Sequence, residues 1–294
     1  MEGEVKQPTV LIVVVTYESD LHEMEENLAE CSAVARVVLC DNSIQPQTRA
    51  AVQSFAESRG MHYLGMTGNR GIGYAQNRGI EFARQAAADF VLLMDDDSRM
   101  PAASMHRLLN CYFELTAGGR RVGAVSALAI DRDGAAKRPA AGRPETVVEC
   151  RDLMSSGSLI PVGVFATVGF MDEGLFIDFV DFDWGWRARA HGLGLYQAQD
   201  AVFAHALGEG FVRVFGYPVK LKSPIRHYYQ TRNTFRMLRR PHTPAGWKAK
   251  QLVTILIKCV VFPLFVPPRR SRLACFFQGL ADGMRDWFRN QAVS

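Results

Sequence analysis

The chain has 294 residues, 48% of them hydrophobic and 22% charged, with a formal net charge of +4. This is the composition of a globular protein with a sizeable core, and so small a charge sets aside a nucleic-acid partner. Six scattered cysteines without CxxC spacing read as core thiols in a reducing compartment, which excludes a disulfide framework.

Val10 to Val15 is a continuous β-branched apolar run, the pattern of a strand buried on both faces of a parallel sheet. The spacing then predicts a helix over Asp20 to Ala35, a strand over Arg36 to Cys40, a helix over Gln47 to Arg59 and a short strand over His62 to Gly65. A helix over Gly73 to Ala88 and a strand over Phe90 to Met94 complete the series. Strand and helix alternate, so an open α/β sheet covered by helices is expected. Val122 to Ile130 reads as a further strand, and Asp131 to Glu145, rich in Gly, Pro, Ala and Arg, as a loop. Asp183 reads as the cap of a helix over Trp184 to Ala190, and a short apolar run over Ala201 to Ala204 ends at His205.

Ligands of such sheets gather at the carboxyl ends of the strands. Here those ends are polar: Thr16-Tyr17, Asp41-Asn42, Asn69 to Gly73, and Asp95-Asp96-Asp97-Ser98. Three adjacent carboxylates repel one another without a counterion and suit Mg²⁺ or Mn²⁺ shared with a diphosphate, although one of them alone would serve as a helix cap. His205 is able to complete a mixed oxygen and nitrogen shell for such an ion, or to be a structural residue beside an apolar strand. Asp41 offers an acceptor to a pyrimidine imide or a ribose hydroxyl, and Tyr17 a face for the base; a turn or cap is the plainer role for Asp41. The glycines of Gly68-Asn69-Arg70-Gly71-Ile72-Gly73 let backbone approach a ligand at a helix start that favours an anion, with a simple glycine turn as the alternative. Asp178 and Asp181 lie among aromatics, where raised pKa values suit proton abstraction from an alcohol; Asp181 is the base candidate, with Asp178 behind it.

Between Arg226 and Arg272 the chain carries eleven Lys and Arg and no Asp or Glu, so an acidic partner is expected there. Arg226 to Asn233 suits either a solvated helix face or a phosphate or sugar contact. Leu252 to Val266, broken by Lys258 and Pro263, falls short of the roughly 20 residues that span a bilayer. The polar start of the sequence lacks an apolar signal region, and no export is expected. Basic residues beside a non-spanning apolar surface fit peripheral contact with an anionic leaflet; a helical pair packed on the rest of the chain, or a dimer contact, fits equally.

Taken in order, Thr16-Tyr17, Asp41-Asn42-Ser43, Asn69 to Gly73 with Asn77-Arg78-Gly79, Asp95-x-Asp97, Asp181-x-Asp183 and His205 resemble glycosyltransferase family 2 over about residues 8 to 240. Asp95 to Ser98, Ile177 to Trp184 and Tyr228 to Asn233 further resemble its bacterial rhamnosyltransferase branch, which uses dTDP-L-rhamnose. The resemblance implies a GT-A fold, with a catalytic domain over 1–240 (nucleotide-sugar part about 8–125, acceptor part about 126–240) and a basic helical extension over 241–294. It implies an inverting, metal-dependent transfer onto a bacterial surface glycan or glycolipid, in the cytoplasm or at the cytoplasmic face of the inner membrane. In that scheme Thr16, Tyr17 and Asp41 hold the base, and Asn69, Gly71 and Arg78 lie near the nucleotide. Asp95 and Asp96 face the ribose or sugar, Asp97 and His205 bind the metal, and Asp181 takes the acceptor proton. Ser156, Gly157, Trp184 and Arg232 are assigned to the acceptor, Ser156 and Gly157 being equally readable as a simple loop. One departure stands out: the family often has a Glu-Asp pair at the base, whereas Val180 precedes Asp181 here. Another sugar donor, a nucleotidyltransferase and a non-catalytic glycan-binding scaffold remain alternatives.

Overall fold

Burial along the first strand sets the layers of the molecule. In the computed structural model, which describes residues 7–131, 146–205, 211–214, 217–220 and 223–289, β1 (Val10–Thr16) is buried throughout and feeds two cores in alternation. Val10, Ile12 and Val14 pack with α1 (Leu21–Ser32), α2 (Pro46–Ser58) and α4 (Ala102–Ala117). Leu11, Val13 and Val15 pack on the other face with α3 (Ile72–Gln85), α5 (Val164–Val168) and α6 (Val180–Ala190). A strand with no solvent face has no need of polar residues, which is why its sequence is uninterrupted.

The sheet runs β3 (His62–Gly65), β2 (Arg36–Asp41), β1, β4 (Phe90–Asp95), β8 (Ser158–Pro161), β6 (Val122–Asp131), β9 (Gly194–His205), β5 (Ser98–Arg99), with β7 (Val147–Cys150) also on β9. The β3 to β4 half is parallel, as expected; β8 enters antiparallel between β4 and β6, so the whole sheet is mixed. Because β2 and β4 flank β1, the chain reverses its winding there, and a crevice opens above the carboxyl ends of β1 and β4. Separately, β10 (Phe211–Val214) and β11 (Tyr217–Lys220) form an antiparallel pair. The loop expected over 131–145 lies, beyond residue 131, outside the described residues.

Asp20 caps α1 by accepting from the His22 and Glu23 amides. The aspartate run does not cap α4, which begins only after Pro101 and has no side-chain cap. Past a 3-10 turn at Glu173–Leu175 and α6 come α7 (Pro224–Arg239), α8 (Ala245–Phe265) and α9 (Arg269–Arg289). The last of these lies along α7: Tyr228 donates to Asp282 at 2.9 Å, and Arg236 pairs with Asp286. On α8, Trp247 meets the rings of Phe179 and Trp186 edge-on. The described parts of α8 and α9 are thus packed on α6 and α7. No helix among the described residues is long and apolar enough to cross a membrane. Cys31, Cys40 and Cys111 are buried free thiols, and burial pushes Cys40 up to about 12.

Candidate active site

The chain leaves β4 at Asp95, turns through Asp96 and Asp97, and pairs Ser98 of β5 directly with His205 of β9. That register brings together residues far apart in sequence: His205 Nδ1 lies 3.1 Å from Asp97 Oδ1 and 2.8 Å from Ser98 Oγ. Asp95, Asp97 and His205 each place one ligand atom within 4.8 Å of the others. Two carboxylate oxygens and one imidazole nitrogen are a donor set that Mn²⁺ or Mg²⁺ accepts. Burial pushes the Asp95 carboxyl up to about 7; the charge of His205 opposes this, while Asp97, Asp96 and Asp181 add to it. The residues therefore fit a divalent cation, which would relieve the crowded charge.

The mount beneath this trio is made of hydroxyls. Ser156 Oγ accepts the Asp95 amide at 3.0 Å and lies 2.9 Å from the buried Ser98 Oγ. Gly157 sits at φ +79, and a Cβ there would come within 2.5 Å of the Phe203 ring. Ser156 and Gly157, assigned above to the acceptor, are buried supports of the carboxylate cluster instead. Asp96 turns toward α1: its carboxylate meets Ser19, and its carbonyl accepts from Asn27 at 2.9 Å.

At the ends of β1 and β2, Tyr17 is 48% exposed. Asp41 is fully buried and accepts from Thr16 Oγ1, the Ser43 amide and Tyr63 OH, each at 3.0 Å. Its oxygens are engaged within the fold, so a base would reach it only by exchanging with Tyr63 or sharing its oxygen. Asn42 fixes the glycine loop, accepting from the Arg70 amide and donating to the Gly71 carbonyl, and Asn69 accepts from the Gly71 amide at 3.0 Å. Gly71 is required twice over: its φ is +87, and a Cβ would lie 2.5 Å from the Phe176 carbonyl oxygen. The first amide of α3 donates to that carbonyl at 2.8 Å, so the helix start is partly spent on the protein itself. Arg78 is exposed and pairs with Glu173 at 3.5 Å.

Across the crevice, α6 begins at Val180 because Phe179 adopts a left-handed conformation, as do Phe176 and Asp178 at positive φ. Three such non-glycine residues in four are strained, and strain of this kind persists only where surroundings enforce it. Enforcement comes from α7. Buried Asn233 donates to the carbonyls of Leu175, Ile177 and Asp178, and Arg232 donates to those of Gly174 and Leu175. Arg232 also stacks over Tyr229, so its place is in the clamp rather than in an open acceptor site. Asp181, in the first turn of α6, is half-buried and accepts from the Phe182 amide at 2.9 Å. Burial pushes its carboxyl up to about 6, backbone amides oppose, and the charge of Asp178 adds.

Three further expectations are corrected. Asp178 is gripped by Arg226 at 2.7 and 3.1 Å with Gln230 beside it, leaving it poorly placed to take a substrate proton. Asp183 does not cap a helix: it lies inside α6, fully buried against Arg187, Arg240 and His242. Burial pushes its carboxyl up, but the charges of Arg240 and Arg187 and the hydrogen bond from His242 outweigh burial and hold it below its usual value. Trp184 is 3% exposed and donates to the Gly169 carbonyl, which makes it core and not an acceptor platform. Sequence reasoning missed Ser98 as a partner of His205 and Asn233 as a clamp; both lay in quoted motifs whose partners only the fold supplies.

Residues 9–121 match the model of glycosyl transferase family 2. The wider fold is that of GT-A glycosyltransferases. It is similar to S. aureus TarS 1-349 in complex with UDP-GlcNAc, at 16% identity, 94% of this chain, 81% of that chain and a TM-score of 0.59. It is also similar to GalNAc-T7 with UDP, GalNAc and Mn²⁺, at 12% identity, 89% of this chain and a TM-score of 0.56, the chain spanning 58% of that structure. Among curated proteins, the dTDP-rhamnosyl transferase RfbF of Shigella flexneri is 28% identical over 262 residues, 84% of this chain and 86% of the relative.

Proposed function

We propose that the protein is an inverting glycosyltransferase that moves L-rhamnose from dTDP-L-rhamnose onto a hydroxyl of a bacterial surface glycan, such as lipopolysaccharide core, O-antigen or another lipid-linked polysaccharide. The observation that carries this reading is the cluster of Asp95, Asp97 and His205 at the switch point of a family 2 domain, with Asp181 close enough to Asp95 to perturb its charge. The choice of donor leans on the Shigella relative, named for dTDP-rhamnosyl transfer.

Asp97 and His205, with Asp95, would hold Mg²⁺ or Mn²⁺, and such an ion supplies positive charge to the departing diphosphate. Tyr17 stacks on the base beside Thr16 and Asp41, while Asn69, Gly71 and Arg78 border the nucleotide and Asp96 orders the crevice wall. Asp181 accepts the proton of the acceptor hydroxyl as that oxygen bonds to the anomeric carbon. The bond from that carbon to the diphosphate breaks on the opposite side, its electron pair leaving with dTDP. A carboxylate near pKa 6 is ionised at neutral pH and still basic enough for this task. Lining up donor and acceptor lowers the barrier further.

In this account residues 1–240 form the catalytic unit, 241–294 support its acceptor side, and transfer takes place at the cytoplasmic face of the inner membrane. A hydrolysis screen of dTDP, UDP and GDP sugars with Mg²⁺ or Mn²⁺ tests the reading. Release of dTDP from dTDP-L-rhamnose well above the others is expected. Preference for a UDP or GDP sugar would overturn the donor, and no nucleotide binding at all would favour a scaffold.

A further inference from the structure

α8 presents apolar side chains to water. Leu252, Val253, Leu256 and Ile257 are 52%, 56%, 68% and 55% exposed, and with Ala249 their spacing places them on one face of the helix. The opposite face holds the helix to the catalytic unit. Trp247 lies 5.1 Å from the Phe179 ring, and Lys258 donates at 2.9 Å to Gln230, which itself donates to Asp178. A contiguous exposed apolar face of this kind marks an interaction surface.

Its surroundings identify the partner. From Arg226 to Ala281 the sequence has no Asp or Glu. Exposed Lys250 borders the apolar face, and Arg269 and Arg270 stand exposed where α9 begins, followed by Phe277 at 55% exposure. Apolar side chains rimmed by cations match acyl chains beneath phosphate headgroups, whereas a second copy of the chain would set the same cations against themselves. No described helix is able to cross the bilayer, so the helix would lie in its surface.

We propose that the outer face of α8 docks the protein on an anionic lipid bilayer. The proposal gives the lipid-linked acceptor of the functional reading its place, and rests on that reading for its purpose. The inner face of the same helix touches Phe179, two residues before Asp181, and reaches Asp178 through Gln230. Docking therefore holds the loop that carries the base against the leaflet from which a lipid-borne hydroxyl would arrive.

Co-sedimentation of the full chain with phosphatidylglycerol-containing vesicles and with phosphatidylcholine vesicles tests it, alongside lipid-free nucleotide-sugar hydrolysis. Binding to the anionic vesicles is expected, weakened about tenfold by the double change Leu252→Ser and Leu256→Ser and reduced by salt, with lipid-free hydrolysis unchanged. Wild-type indifference to anionic vesicles, or a double variant that binds them equally well, overturns the proposal. So does a wild-type dimer that the double variant splits, since a second copy would then cover the face. Vesicle binding without hydrolysis of any sugar nucleotide would uphold the docking and overturn glycosyl transfer, so the two fail separately.

Discussion

At the scale of single residues, the site is a division of labour among carboxylates that sequence alone makes look alike. Asp95 and Asp97 converge on His205, Asp96 turns away to Ser19, Asp178 is locked to Arg226, and Asp183 is buried among cations. Asp181 remains half-buried without a guanidinium partner among its described hydrogen bonds, which is what a proton acceptor requires. Asp181→Asn is predicted to leave donor affinity nearly intact and to lower transfer by about 10²- to 10⁴-fold, measured as kcat with a saturating acceptor. The wild-type rate should fall as pH drops through about 6, because Asp181 must be ionised to act and its burial has raised its pKa to that point. A flat profile from pH 7 to pH 5 would move the base elsewhere.

Among the elements, α7 determines the shape of the loop that leads into Asp181. Asn233 alone serves three carbonyls of a segment with three left-handed residues, and its removal strands buried acceptors. Asn233→Ala is predicted to destabilise the fold by about 3 kcal/mol, read from urea unfolding, and to reduce kcat more than donor affinity. Much of the parallel half was legible in the sequence: an apolar run such as Val10 to Val15 admits few structures, and Asp95 to Ser98 announced a strand end. The pairing of His205 with Asp97 came from the family resemblance and not from local pattern, because it depends on the register of a two-residue strand, Ser98 opposite His205. Asp183 and Trp184 were misplaced because α6 starts at Val180, following a positive φ at Phe179 that no local residue preference foretells. Arg232 and Asn233 looked like ligand-binding residues since carbonyl partners in a distant loop leave no trace in local sequence.

For the whole molecule, charge at the crevice links stability to pH and to cations. Asp95 and Asp181 both have pKa values raised above that of an unfolded aspartate, so the folded state holds their protons longer. Their contribution to stability is present below about pH 4 and is lost as pH rises through about 6 and then about 7. A cation takes the proton's place at the Asp95 cluster, so Mn²⁺ should raise Tm clearly at pH 7.5 and little at pH 5. Equal shifts at both values would place the ion elsewhere. In the proposed function, Asp97 and His205, with Asp95, hold a divalent cation that in turn holds the nucleotide diphosphate. Isothermal titration of dTDP into wild type and Asp97→Ala, each with and without Mn²⁺, tests this most directly. Binding should depend on Mn²⁺ in wild type and lose that dependence in the variant; identical metal-linked binding in both proteins would place the ion elsewhere.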